Sequence, residues 1–188
     1  MRIKDLIKTL DRWDQRGFWA FTAATLKLLF PEDDRARIKA LTNHQDAGII
    51  ERVARGLYVN PRARSLPPDV LSSLIPWLRP WDFNYLSLES ALSEAGLISQ
   101  IPSRLTVMTT GRSQTFGTPY GTIEFTHTAQ MPEHLSGDVV WDLQRGMWVA
   151  TPARAHRDLT KARRNLGLVN PVTASEALEG TSDGLLHV

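Results

Sequence analysis

The stretch that decides the fold of the N-terminal part covers residues 34–61 and reads DRARIKALTNHQDAGIIERVARGLYVNP. Asp33 or Asp34 is a suitable N-cap for a helix that runs to about Ala47 and is closed by Gly48. Residues 49–53 and 57–59 then form two short strand patterns, and Gly56 is suited to the left-handed position of the three-residue loop between them. The stretch therefore predicts a helix followed by a β-hairpin.

Two further helices are predicted upstream of this stretch. Apolar residues recur at i, i+3, i+4 and i+7 from Ile3 to Leu10, which predicts an amphipathic helix ended by Gly17. Thr22 is a suitable N-cap for a second helix, which Pro31 stops. Three helices and a hairpin within about 60 residues match a winged helix-turn-helix.

The third predicted helix has one apolar side, marked by Ile38 and Leu41. The small residues Ala36 and Ala40 on the other side would let the helix enter a major groove. Arginine and asparagine make bidentate contacts to base edges, and basic residues at a hairpin tip meet phosphates or the minor groove. The predicted DNA-binding residues are Arg35, Arg37, Lys39 and Asn43 on the helix, with Arg52 and Arg55 on the hairpin. The alternative is a solvated helix face with ordinary surface arginines.

The charge distribution agrees with a DNA-binding N-terminal part. The 188 residues carry a net charge of only +2. Residues 1–64 contain 13 Lys and Arg against 8 Asp and Glu, a net charge of +5, whereas residues 65–188 contain 9 against 12, a net charge of −3. This division suggests two modules with different partners.

We expect an α+β protein with two domains: a winged helix-turn-helix over residues 1–64 and a mixed α/β domain over residues 70–188. The proline-rich stretch at about 61–69 is the predicted linker. In the second domain, residues 87–96 and 152–166 are predicted helices. Residues 104–109, 122–128, 139–143 and 147–150 are predicted strands, and the Gly/Ser/Thr-rich segment 111–121 a loop.

Several function classes are excluded or disfavoured. The chain has no cysteine, so disulfides, thiol catalysis and cysteine-ligated metals are excluded, and this composition fits a reducing cytoplasm. The longest apolar run is five residues, so neither a membrane span nor a signal-peptide core is predicted. There is no phosphate-binding P-loop and no nucleophile elbow. We expect no enzyme activity, no cofactor and no metal site.

Several segments together resemble the AbiEi antitoxins. The resemblance runs from about residue 5 to residue 166. It is carried by FTA at 21–23, IIERVARGLYVNP at 49–61, YLSLESAL at 85–92, GLISQIP at 96–102, VMTTG at 107–111, EFTH at 124–127 and VATP at 149–152. The wing sequence alone is shared with many winged proteins, whereas its combination with the Ser-x-x-Ser-Ala-Leu helix and the Ala-Thr-Pro segment is more specific.

The resemblance implies an antitoxin of a two-gene toxin–antitoxin and phage-defence system, acting in the cytoplasm. Such antitoxins bind their own promoter through the winged domain and repress the operon. Their C-terminal domain counters a nucleotidyltransferase-like toxin, which is the implied partner besides promoter DNA. The open alternative is a winged-helix regulator with a ligand-sensing or oligomerising second domain and no toxin.

A basic stripe marks the last predicted helix of the otherwise acidic second domain. Its spacing of i, i+3, i+7 and i+10 places four cationic residues along one side. One interpretation is a docking face for an acidic toxin surface or for RNA, and the other is a solvated helix face supported by ion pairs with Asp158. The stripe comprises Arg154, Arg157, Lys161 and Arg164.

Overall fold

The computed structural model describes residues 1–169 and contains both helices and sheets, so the α+β class is confirmed. The described residues form two compact units, one of Met1–Val70 with Gly117–Tyr120 and one of Leu71–Phe116 with the described part of Gly121–Val188. Residues 170–188, the end of the predicted second domain, lie outside the described residues.

The first unit contains three helices and a three-stranded sheet. In chain order these are α1 (Ile3–Asp14), β1 (Ala20–Thr22), α2 (Ala23–Leu29), α3 (Asp34–Asp46), β2 (Glu51–Ala54) and β3 (Leu57–Val59). The antiparallel sheet has the order β1-β3-β2. The three predicted helices and the hairpin are therefore present, and β1 is an additional strand between the first two helices.

Local capping explains where α2 and α3 begin. The Thr22 hydroxyl accepts a hydrogen bond from the backbone N–H of Thr25 at 3.1 Å, and the Asp33 carboxylate accepts one from that of Ala36 at 2.8 Å. These bonds satisfy N–H groups that have no partner inside the helix. The apolar side chains of the three helices and the sheet share one core: Leu6, Leu10, Phe21, Leu26, Leu41, Ile50 and Tyr58.

The second unit is built on a mixed sheet. Two short helical turns, α4 (Val70–Ser73) and α5 (Ile75–Leu78), come at its start. The remaining elements are β4 (Asn84–Leu86), α6 (Leu88–Glu94), β5 (Leu105–Thr109), β6 (Gln114–Thr118), β7 (Gly121–His127), β8 (Val139–Asp142), β9 (Met147–Ala150) and α7 (Pro152–Ala162). The strand order is β6-β7-β5-β4-β9-β8.

The helices α6 and α7 pack together against this sheet. Their apolar residues form one core with side chains of the strands, including Tyr85, Met108 and Ala150. The prediction of a loop over residues 111–121 is wrong, because β6 lies inside that segment and joins the edge of the sheet. The strand β4 was not predicted, since three residues are too short to show an alternating pattern.

Candidate nucleic-acid interface

The buried side of α3 differs from the predicted one. Arg37, Leu41 and His44 are buried, whereas Ile38 is 66% exposed. The helix is therefore rotated about its axis relative to the expectation. The side that faces solvent is centred on the line from Arg35 through Lys39 to Thr42, with spacings of four and three residues.

Arg37 holds the turn between α2 and α3 together. Its guanidinium donates to the Asp34 carboxylate and to the backbone carbonyls of Phe30, at 3.3 Å, and Glu32. Its side chain is 7% exposed. The prediction that Arg37 lies on the exposed face is wrong, and we remove it from the candidate interface. The hydrogen bond from Arg37, with the nearby Lys27 ammonium, also lowers the pKa of Asp34 below its ordinary value.

The other three predicted residues of α3 lie on its exposed side. Arg35, Lys39 and Asn43 are exposed. Within residues 1–169, none of these three side chains has a hydrogen bond or an ion pair to another residue. Their donors and charges are therefore free to meet an external partner.

The hairpin carries the two predicted arginines in exposed positions. Arg55 lies in the turn next to Gly56, whose φ of +76° places it in the left-handed region that glycine adopts without strain. The Arg52 side chain donates to the carbonyl of Ala54 at 3.3 Å across an irregularity in the β2–β3 register. The backbone N–H of Ala23 donates to the Gly56 carbonyl at 2.8 Å, which fixes the turn against the start of α2.

The segment after the hairpin is attached to α1. The Asp14 carboxylate accepts hydrogen bonds from the backbone N–H groups of Arg64 at 2.9 Å and Ser65 at 2.8 Å, and from the Ser65 hydroxyl at 2.7 Å. The bond from Ser65 is the main cause of a lowered pKa of Asp14. Residues 64 and 65 of the predicted linker are thus held by the first helix.

The predicted basic stripe is not one exposed face: α7 ends at Ala162 rather than near residue 166, so Arg164 lies beyond the helix, and two of the four residues are buried or partly buried. Arg154 is 7% exposed and pairs with Asp158 and, at 3.6 Å, with Asp138. Arg164 donates to Glu89 at 2.8 Å and to Glu124. These two residues therefore do not extend a docking face. Arg157, which pairs with Asp138, and Lys161 are exposed.

Asp158 is a buried carboxylate that was not predicted to lie in the core. It accepts hydrogen bonds from the Ser87 hydroxyl at 2.7 Å and the Tyr85 hydroxyl at 3.0 Å, besides its pair with Arg154. Burial and the neighbouring carboxylate raise the pKa of Tyr85. The sequence feature that indicates its burial is the position of Asp158 between Ala155 and Leu159, on the apolar side of its helix.

The second unit also contains a pocket of about 730 Å³. Apolar residues such as Ile98 and Leu168 share its walls with two acidic and two basic side chains. The charged members form one ion-pair network, in which Glu124 accepts from Arg104 at 2.9 Å and from Arg164. The charged residues of the pocket are Glu89, Arg104, Glu124 and Arg164.

Two further observations concern metal binding and membrane insertion. Among residues 1–169 there is no group of three or more His, Asp or Glu side chains placed to hold a metal ion. No helix in that range combines the length and the apolar character needed to cross a membrane.

Neither the comparison with protein-family models nor the comparison with curated proteins finds a match for this chain.

Proposed function

We propose that residues 1–64 are a winged helix-turn-helix that binds double-stranded DNA. The observation that carries the proposal is the exposed side of α3, where Arg35, Lys39 and Asn43 have no partner within residues 1–169. The element order α1-β1-α2-α3-β2-β3 and the exposed arginines of the hairpin support it. In this proposal α3 enters the major groove and the β2–β3 hairpin is the wing.

Each exposed residue has a role that follows from its chemistry. Arg35 and Asn43 carry planar donor groups that suit base edges in the major groove. Lys39 is a point charge that suits a phosphate, and so do Arg52 and Arg55 on the wing. The net charge of +5 on residues 1–64 favours association with a polyanion.

Binding to the DNA directly upstream of the coding sequence tests this proposal. Fluorescence anisotropy with that fragment, measured between 50 and 200 mM salt, gives both the affinity and its salt dependence (about 10³-fold loss for six phosphate contacts). Arg112→Ala is a matched control, because Arg112 is an exposed arginine of the second unit. Equal affinity of the wild type, Arg35→Ala and Lys39→Ala, all folded, would remove α3 from the interface.

We further propose that the protein is an antitoxin that represses its own operon and counteracts a nucleotidyltransferase-like toxin through its second domain, in the cytoplasm. The support is the sequence resemblance over residues 5–166, above all the wing, the segment at 85–92 and the segment at 149–152. Arg157 and Lys161 are the exposed members of the basic stripe and therefore the part of it that suits a toxin surface.

Co-expression with the neighbouring gene tests the antitoxin role. We expect the full chain to restore growth when a downstream nucleotidyltransferase gene is induced. A full chain with Arg35→Ala and Lys39→Ala should lose repression and keep rescue, because the two activities are assigned to different units. Absence of such a gene, or of rescue, would contradict the antitoxin role and leave the DNA-binding role standing.

The pocket of the second unit favours one alternative. A cavity of about 730 Å³ with both apolar and charged walls is large enough for a small molecule. A winged-helix regulator without a toxin would use such a pocket to sense a ligand. A small molecule that changes DNA affinity in the wild type, but not in Arg104→Ala, would favour this alternative.

A further inference from the structure

Ile38 occupies a position on α3 that packing does not explain. It lies in the middle of the helix and is 66% exposed, whereas the next apolar residue, Leu41, is 4% exposed. One exposed aliphatic side chain is ordinary on a protein surface. Here, however, it flanks the line from Arg35 to Lys39, whose polar side chains have no partner within residues 1–169.

Thr42 extends the apolar surface of Ile38. It lies one turn further along α3, where residues four apart are neighbours on a helix surface. The Thr42 hydroxyl donates to the backbone carbonyl of Ile38 at 3.1 Å. Because its hydroxyl is already hydrogen-bonded to the helix, the methyl group is the part of Thr42 left for an apolar contact.

One group in the major groove is complementary to such a surface. The C5 methyl of thymine is the apolar group that base edges present there, and aliphatic side chains contact it in direct readout. The other edge features are hydrogen-bond donors and acceptors, which suit Arg35 and Asn43. Exposed aliphatic and polar side chains on one helix face therefore complement a mixed base sequence.

We propose that Ile38, with the methyl group of Thr42, makes α3 selective for thymine at a defined position of the DNA site. This inference rests on the proposed DNA-binding function and names one component of its specificity. Lys39 supplies affinity through a phosphate and Arg35 contacts a base edge, while Ile38 supplies the discrimination between thymine and the other bases.

The test compares two DNA probes that differ only in thymine methyl groups. The first is the fragment directly upstream of the coding sequence, and the second is the same fragment with every thymine replaced by deoxyuridine. We expect the wild-type full chain to bind the deoxyuridine probe about fourfold more weakly, the effect of losing one buried methyl group. Ile38→Ala should lose most of this preference and bind the thymine probe with an affinity close to that of the wild type for the deoxyuridine probe, and the preference that is left is the share of Thr42.

A matched control is Ile101→Ala, which removes an isoleucine that is 92% exposed in the second unit. It should keep the wild-type preference for thymine. Because Ile38 is exposed, Ile38→Ala should also keep the wild-type thermal unfolding temperature, which shows that the helix is intact.

The outcomes separate this inference from the function on which it rests. If the wild type binds neither probe, the DNA-binding proposal fails. If the wild type binds both probes equally, the DNA-binding proposal stands and the thymine contact is overturned. If Ile38→Ala keeps the full preference for thymine, the preference arises elsewhere and the role of Ile38 is overturned.

Discussion

The Arg37 guanidinium donates to the carboxylate of Asp34, one turn earlier in α3, while it also donates to two carbonyls of the preceding turn. This arrangement joins the end of α2 to the start of α3. The relative position of these two helices matters for the proposed DNA binding, because in a helix-turn-helix the second helix lies in the major groove while the first crosses the backbone.

We predict that Arg37→Ala lowers the free energy of unfolding by about 2 kcal/mol, because charge-assisted hydrogen bonds are lost and carbonyls lose their donor. Urea unfolding measures this change. Arg35→Ala is the matched control and should unfold like the wild type, since the Arg35 side chain has no partner within residues 1–169. An Arg37→Ala variant with wild-type stability would contradict the structural role of Arg37.

A second prediction concerns the salt dependence of DNA binding. Lys39→Ala should weaken binding to all DNA sequences by a similar factor and reduce the slope of log affinity against log salt by about 1, because one phosphate contact is lost. Arg35→Ala should instead reduce the preference for the upstream fragment over unrelated DNA, because Arg35 is assigned to a base edge. Anisotropy titrations with the upstream fragment and with unrelated DNA distinguish the two effects. If Lys39→Ala lost the preference for the upstream fragment and Arg35→Ala lowered the salt slope, the assigned contacts of the two residues would be wrong.

A third prediction concerns the buried Asp158. Asp158→Ala should destabilise the protein by about 3 kcal/mol, because it leaves the buried Arg154 without its main partner. Tyr85→Phe removes only one neutral donor and should cost about 1 kcal/mol. Thermal or urea unfolding measures both values. Equal losses of stability in the two variants would contradict the role of Asp158 as the partner of the Arg154 charge.

A fourth prediction follows from the pKa of Glu124. Burial opposes ionisation of Glu124, but hydrogen bonds from Arg164 and Arg104 outweigh it and hold its pKa below the ordinary value of 4.5. Because the folded-state pKa is the lower one, ionised Glu124 stabilises the fold above about pH 4.5, and this contribution is lost as the pH falls through the folded-state value.

Glu124→Gln should therefore reduce stability at pH 7 and flatten the loss of stability below pH 4.5. Urea unfolding at pH 7, 5 and 3.5 measures both effects. The matched control is Glu133→Gln, which neutralises an exposed glutamate of the second unit. If Glu124→Gln loses stability in acid as steeply as the wild type, the ion pairs of Glu124 do not contribute as described.

Much of the first unit was predictable because its signals are local. A cap such as Thr22 or Asp33 bonds to a backbone group three residues away, so the cap and its helix appear together in the sequence. The hairpin turn was equally local, because Gly56 adopts a positive φ that few other residues tolerate. In the second unit, β5 and β7 were predicted from their alternation, whereas β6 was missed within a Gly/Ser/Thr-rich segment.

The sequence by itself determined the helices, the hairpin and the residue types that suit DNA, because capping, turn formation and apolar periodicity act over a few residues. The tertiary structure decided which side of α3 is buried, because the Arg37 guanidinium donates to backbone carbonyls in the turn after α2. It also placed Asp158 against Ser87, which lies 71 residues earlier in the chain. A charged side chain is stable in the interior only where other segments of the chain supply its partners. No local sequence pattern predicts such a long-range contact.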